Sequence, residues 1–223
     1  VNERSLAAHG SPSAARLVAV SKTKPAEDIE HLYAAGHRHF GENYVQELVE
    51  KSKKLPSDIC WHFIGGLQSN KCKTLAGIPN LWAVETLDSR KRAQLLDHAC
   101  MQVERAEPLR VFVQVNTSGE ESKSGVTTEE AEQLCGFIHE YCPHLQLAGL
   151  MTIGAPDREL AEGEINPDFA SLRQCRDQIV AHLKLNELEL SMGMSNDFAQ
   201  AIDAGSTNVR VGSSIFGARN YQR

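Results

Sequence analysis

Leu17-Val18-Ala19-Val20, followed by Ser21-Lys22-Thr23-Lys24-Pro25, is the stretch on which the fold turns. Four apolar residues, two of them valines, read as a short buried strand, since β-branched side chains pack well on a pleated surface. Pro25 then opens a helix carrying Ile29, Leu32 and Tyr33 at helical spacing and closed by Gly36. Proline suits a first helical turn because its missing N–H would find no partner there. The unit is strand, polar loop, helix, and the loop carries two lysines.

The unit recurs along the chain. His39-Phe40-Gly41 is a second strand, with a helix over 44–53. Residues 61–65 form the third strand, 81–84 the fourth, 110–116 the fifth, 146–153 the sixth and 189–192 the seventh. The stretch 209–216 contains the eighth. Helices fall at 70–75, from an Asp88 cap to Cys100, and at 128–139, 168–183 and 197–204, the last ended by Gly205. In 168–183, Phe169, Leu172, Ile179 and Leu183 lie near one face. Such alternation implies parallel strands joined by right-handed crossovers. Strand count and the 223-residue length favour an α/β fold of the single-domain (β/α)8 TIM-barrel type. An open doubly wound sheet is the alternative. Residues 16–223 make the barrel, and residues 1–15 read as a truncated helix remnant ending in a Ser-Pro-Ser turn.

Hydrophobic residues at 41% and charged residues at 23% are ordinary for a globular protein. A net charge of -6 argues against a general nucleic-acid binder, which would carry a basic surface. No run approaches the roughly 18 apolar residues of a membrane span, and no charged-then-apolar leader opens the chain. The six cysteines include no C-x-x-C pair and fall mostly in helices or strands. They read as reduced, buried thiols of a cytoplasmic protein, a mitochondrial location being the variant. Asn116-Thr117-Ser118 matches a glycosylation acceptor but ends an apolar strand, and is discounted. His37, His39 and His62 lack partners at zinc spacing, so no metal site is expected.

Barrel chemistry sits at the carboxyl ends of the strands. Strand one delivers Ser21, Lys22 and Lys24; strand two, Glu42 and Asn43; strand three, His62 and Gly65-Gly66; strand four, Glu85. Strand five gives Asn116, with Lys123 on its loop; strand six, Met151 and Thr152; strand seven, Met194 and Ser195; strand eight, Arg210, Gly212 and Ser213. A lysine held at a barrel rim is partly desolvated, and nearby Lys24 and Lys123 add like charge. Both effects lower an amine pKa, and a neutral amine attacks an aldehyde. An exposed loop lysine is the alternative reading. Ser195, expected to begin a helix, and Gly212-Ser213-Ser214 present N–H groups to an anion where barrels often bind phosphate. Met192 and Met194 read equally as core filler, with Gly193 permitting close backbone approach.

Eight runs then make the chain recognisable: A-V-S-K-T-K-P (19–25), G-E-N-Y-V-Q-E (41–47), W-H-F-I-G (61–65), Q-S-N-K (68–71), S-K-S-G (122–125), G-L-M-T-I (149–153), S-M-G-M-S-x-D-F (191–198) and V-R-V-G-S-x-I-F-G-A-R (209–219). In order and spacing they resemble the pyridoxal phosphate homeostasis protein family, from about residue 18 to 221. The resemblance implies the alanine racemase N-terminal barrel and bound pyridoxal 5'-phosphate. By motif, Lys22 resembles the family's Schiff-base lysine and Asn43 a residue beside the cofactor ring. Ser195, Gly212 and Ser213 resemble its phosphate cradle, Ser213 standing where many members have threonine. Arg210 resembles the arginine facing the pyridine nitrogen. Lys24 and Lys123 resemble lysines associated with cofactor transfer or occupancy; His62 and Met194 complete the accessory pocket.

An arginine at that nitrogen opposes its protonation, which weakens the ring as an electron sink. A two-base racemase also needs a second proton shuttle. In related racemases that base resembles a tyrosine from beyond the barrel. Here the chain closes shortly after Phe216, and Tyr221 is a poor stand-in. The expectation is a non-catalytic carrier that buffers or delivers the cofactor in vitamin B6 homeostasis, as a monomer or weak dimer, with pyridoxal-phosphate-dependent apoenzymes as partners. The alternative is an amino-acid racemase or another pyridoxal-phosphate enzyme of the same fold type. A phosphate-binding barrel with no aldehyde ligand is a third reading.

Overall fold

A computed structural model describes residues 1–10, 15–120, 123–155 and 164–217. Eight parallel strands close into a barrel in sequence order: β1 (Arg16–Val20), β2 (His39–Glu42), β3 (Cys60–Phe63), β4 (Leu81–Leu87), β5 (Leu109–Gln114), β6 (Leu145–Met151), β7 (Glu189–Ser191) and β8 (Asn208–Val211). Closure pairs β1 with β8, from Arg16 opposite Asn208 to Ala19 opposite Val211. The loops after these two strands, carrying Lys22 and Gly212, are therefore neighbours.

The helices are α1 (Asn2–His9), α2 (Ala26–Ala34), α3 (Val45–Lys54), α4 (Cys72–Ala76), α5 (Arg90–Gln102), α6 (Thr128–Tyr141), α7 (Pro167–Leu183), α8 (Phe198–Asp203) and α9 (Ser213–Phe216). The open-sheet alternative falls. Several boundaries shift. Ser89, not Asp88, caps α5, its hydroxyl accepting from Arg92 N at 3.4 Å. Strand β5 stops at Gln114, because Asn116 N turns away to donate to Val126 O. The stretch after β8 folds into α9, which the apolar pattern of 209–216 did not reveal. A capping box between Thr127 and Glu130 starts α6, and Asn166 with Pro167 starts α7. The Ser-Pro-Ser turn lies outside the described residues.

The main core lies between barrel and helices, where Phe40, Leu48, Trp61, Leu75, Leu96 and Phe169 are almost fully buried. All six cysteines are free, and five are buried. Gly193, with φ of +96°, needs no side chain: a Cβ there would meet Ala201 Cβ at 2.5 Å. The close approach expected at this glycine is therefore real, and it lets the loop after β7 lie on α8.

The barrel interior is partly polar. Glu85 on β4 accepts from Ser191 Oγ on β7 at 2.5 Å and from Asn208 Nδ2 on β8 at 3.2 Å. Neither β7 nor β8 neighbours β4, so the bonds cross the lumen.

Candidate functional site

At the carboxyl ends of the strands opens a cavity of about 410 Å³. Lys22, Asn43, Ser195, Arg210, Gly212 and Ser213 all line it, as do Lys24 and Met194. Among the described residues that line it, three basic side chains, Lys22, Lys24 and Arg210, face one carboxylate, Asp197. That imbalance suits an anionic ligand. Asn43 Oδ1 is buried without a hydrogen-bond partner among the described residues. A buried polar atom left in this way costs free energy until something pairs with it. A phosphorylated aldehyde meets these features: an amine for the carbonyl, a basic lining for the phosphate and a polar side chain awaiting a partner. The donor set fits pyridoxal 5'-phosphate.

Each wall has its own construction. Lys24 Nζ donates to Phe216 O at 2.7 Å, tying the loop after β1 to the end of α9. Ser195 is not the start of a helix, as expected, but sits in the turn before α8; Asp197 occupies the cap position and its Oδ1 accepts from Met194 N at 2.6 Å. The Ser195 hydroxyl accepts from Gly212 N at 3.1 Å, which joins the loops after β7 and β8. Burial pushes the Asp197 carboxyl above its usual range, against the pull of the Met194 N–H and of Arg210.

Arg210 is buried at the cavity floor, donating from Nη2 to Thr152 O at 2.8 Å and from Nη1 to Ser191 Oγ at 2.5 Å. Burial lowers its pKa, and the Glu85 and Asp197 charges oppose that shift. Beneath it, His62 Nδ1 lies 2.5 Å from Glu85 Oε1, and His62 Nε2 lies 2.9 Å from His39 Nδ1. His62 thus bridges the Glu85 carboxylate and the His39 ring. The bonds from His62 and Ser191 hold Glu85 below its ordinary value despite burial.

Two expected residues lie elsewhere. His62 does not line the cavity; it is fully buried one layer deeper and connects to Arg210 through Glu85 and Ser191. Lys123 lines an adjoining cavity of about 220 Å³, which shares Asn43, Ile64 and Ile153 with the first. Its Nζ donates to Gly154 O at 2.9 Å and pairs with Glu120 at 2.9 Å. Among the described residues no tyrosine lines the larger cavity, and Tyr221 lies outside them.

Sequence reading named Glu42 but missed its partners Glu47 and Lys51 behind Lys22. Lys51 of α3 is buried, and its Nζ donates to Glu42 Oε1 at 2.6 Å, Glu47 Oε1 at 2.7 Å and Ser21 O at 2.8 Å. Burial pushes the Glu42 carboxyl up to about 7, against the pull of Lys51 and Ser21. The four-residue spacing of Glu47 and Lys51 was a readable signal of an ion pair on one helix face; the burial of Lys51 was not readable.

Comparison with known proteins agrees with this geometry. Residues 2–220 match the family model described as the alanine racemase N-terminal domain. The pyridoxal phosphate homeostasis protein of Caenorhabditis elegans is 51% identical over 213 residues, 93% of this chain and 87% of that one. The human protein of the same name is 47% identical over 215 residues, covering 93% of this chain and 78% of its own. PipY of Synechococcus elongatus, solved with PLP bound, superposes with a TM-score of 0.81 at 33% identity, covering 97% of this chain and 99% of PipY. The chain belongs to the alanine racemase N-terminal domain family, among its pyridoxal phosphate homeostasis proteins.

Proposed function

We propose that this chain binds pyridoxal 5'-phosphate through Lys22 and serves vitamin B6 homeostasis by buffering or delivering the cofactor. The carrying observation is the convergence of Lys22, Asn43, Ser195, Arg210, Gly212 and Ser213 on one cavity rich in positive charge. When bound, the cofactor supplies an aldehyde that an amine can hold covalently. Lys22 is that amine. Ser195 and Ser213 grip the phosphate, with Gly212 N holding the Ser195 hydroxyl in place; Asn43 pairs beside the ring, and Arg210 faces the ring nitrogen and disfavours its protonation. Lys24 and Lys123 govern occupancy and release from the rim and the adjoining cavity.

The names of the relatives and the PLP bound to PipY support this reading. A carrier without substantial catalysis fits a cavity in which no described tyrosine offers a second proton shuttle and an arginine weakens the ring as electron sink. A cytoplasmic or mitochondrial monomer or weak dimer handing cofactor to apoenzymes completes the proposal. No helix among the described residues is long and apolar enough to cross a membrane.

The test is a visible spectrum before and after borohydride reduction, with peptide mapping of the labelled lysine. Label on Lys22, and its loss in Lys22→Ala with the fold intact, is the expected result. Label on another lysine overturns the assignment. Rapid loss of α-deuterium from alanine, above the rate with free cofactor and dependent on Lys22, would turn the reading toward a racemase.

A further inference from the structure

Lys22 sits on a short loop whose backbone is anchored on both sides by one charged group, buried at Glu42 and Lys51 and partly exposed at Glu47. On the near side, Ser21 Oγ donates to Glu42 Oε1 at 2.6 Å and Ser21 O accepts from Lys51 Nζ at 2.8 Å. On the far side, Thr23 N donates to Glu47 Oε1 at 2.7 Å. Lys51 joins the halves, with Glu42 at 2.6 Å and Glu47 at 2.7 Å. Thr23 has φ of +62°, a left-handed conformation that a β-branched residue adopts only when its surroundings impose it.

None of Glu42, Glu47 and Lys51 lines either cavity. A buried ion pair is a weak device for stability alone, because desolvation offsets most of the attraction. Here the charges grip the two residues that flank the amine. We propose that Glu47 and Lys51 are positioning residues for Lys22, holding its loop so that the amine enters the cavity ready to condense with an aldehyde. The inference rests on Lys22 being the attachment point. Misplacing a reacting group by about 1 Å can cost about 100-fold in rate, so a loosened loop has a kinetic signature.

Glu47 carries the test, since it is partly exposed on α3 and alanine is a good helix former there. Lys51→Met would strand the buried Glu42 carboxylate and endanger the fold, so it serves only as a second variant. Stopped-flow absorbance would follow condensation of the apoprotein with pyridoxal 5'-phosphate over a range of concentrations. In parallel, Lys22 of the apoprotein would be methylated with formaldehyde and cyanoborohydride and mapped against Lys24. Glu47→Ala is expected to slow condensation about tenfold and to change the Lys22:Lys24 methylation ratio. Glu47→Gln, which keeps an acceptor for Thr23 N, should recover most of the rate. A lowered Tm with wild-type condensation and methylation would mean a purely structural group and overturn the inference. Wild-type protein that cannot be reductively labelled on Lys22 would overturn both this and the attachment it rests on; label on Lys22 with unchanged Glu47→Ala kinetics would remove the inference alone.

Discussion

Arg210 donates from Nη1 to Ser191 Oγ at 2.5 Å, and the same hydroxyl lies 2.5 Å from Glu85 Oε2. One serine hydroxyl thus links the cation on the cavity floor to a carboxylate inside the barrel. Coulomb attraction in a weakly screened interior favours the ionised form of both. Glu85 thereby offsets part of the cost of burying the Arg210 cation.

Ser191→Ala should therefore damage more than one bond. It leaves Arg210 Nη1 and Glu85 Oε2 each short of a partner, and bonds to charged groups are worth about 1.5–3 kcal/mol each. Urea unfolding of the apoprotein should show a loss of about 2–4 kcal/mol, and the absorbance of bound cofactor should shift as Arg210 loses its orientation. Stability within error of wild type would show that the interior network is not coupled in this way. Ser191→Thr, retaining the hydroxyl, is the control.

The same interior sets a pH dependence. Burial and the neighbouring His62 push His39 down from 6.5 to about 3. Between those values the unfolded chain binds a proton that the folded chain refuses, so stability falls as pH drops from 6.5 toward 3. Glu85, lowered by its bonds, acts in the same direction: its contribution is present above 4.5 and is lost as pH falls through its folded value. Glu42 acts the opposite way. Raised from 4.5 to about 7, it contributes stability below 4.5 that is lost as pH rises through 7. Urea midpoints across this range should rise with pH more steeply in Glu42→Gln than in wild type between 4.5 and 6.5, and less steeply in His39→Gln. Identical slopes in all three proteins would refute the assignment.

Much of this site was legible because a barrel gathers its loops at one end. Once Lys22, Asn43, Ser195 and Gly212 were read as following strands, closure placed them together. His62 shows where that logic stops. Ile64 lines the cavity, and His62, two residues earlier on the same inward face, lies one layer below the rim. Reading it near a strand end was right about the strand and wrong about depth. Ser191 and Lys51 were invisible for a different reason. A serine in a short strand and a lysine on a charged helix have ordinary exposed uses, and only the three-dimensional placement of Glu85 and Glu42 turns them inward. The cap of α5 slipped by one residue because Asp88 and Ser89 are both good caps, and Asp88 is engaged instead with Arg92.

Gly65 and Gly66 offer a paired test of how Asn43 is placed. A Cβ on Gly65 would lie 1.9 Å from Asn43 O and 2.7 Å from its carbonyl carbon, so the backbone of Asn43 would have to move. A Cβ on Gly66 meets nothing within 4 Å. Gly65→Ala should cost about 1–3 kcal/mol, as overpacking against backbone does, and weaken cofactor binding because Asn43 moves. Gly66→Ala should stay within about 0.5 kcal/mol of wild type. Thermal unfolding and fluorescence titration decide it, and equal behaviour of the two variants would mean that Asn43 tolerates displacement.

Ser195 separates the grip on phosphate from the covalent bond. Its hydroxyl already accepts from Gly212 N at 3.1 Å, so its own hydrogen can be donated to an anion while the two loops stay joined. In a Lys22→Ala background, where only non-covalent contacts hold the cofactor, Ser195→Ala should weaken binding by about 1.5–3 kcal/mol, the worth of a hydrogen bond to a charged group. Ser195→Thr keeps both functions of the hydroxyl and should bind nearly as the parent does. Equilibrium dialysis with pyridoxal 5'-phosphate and with pyridoxal isolates the source: the loss should appear with the phosphorylated form and vanish with the other. An equal loss for both would place the phosphate away from Ser195.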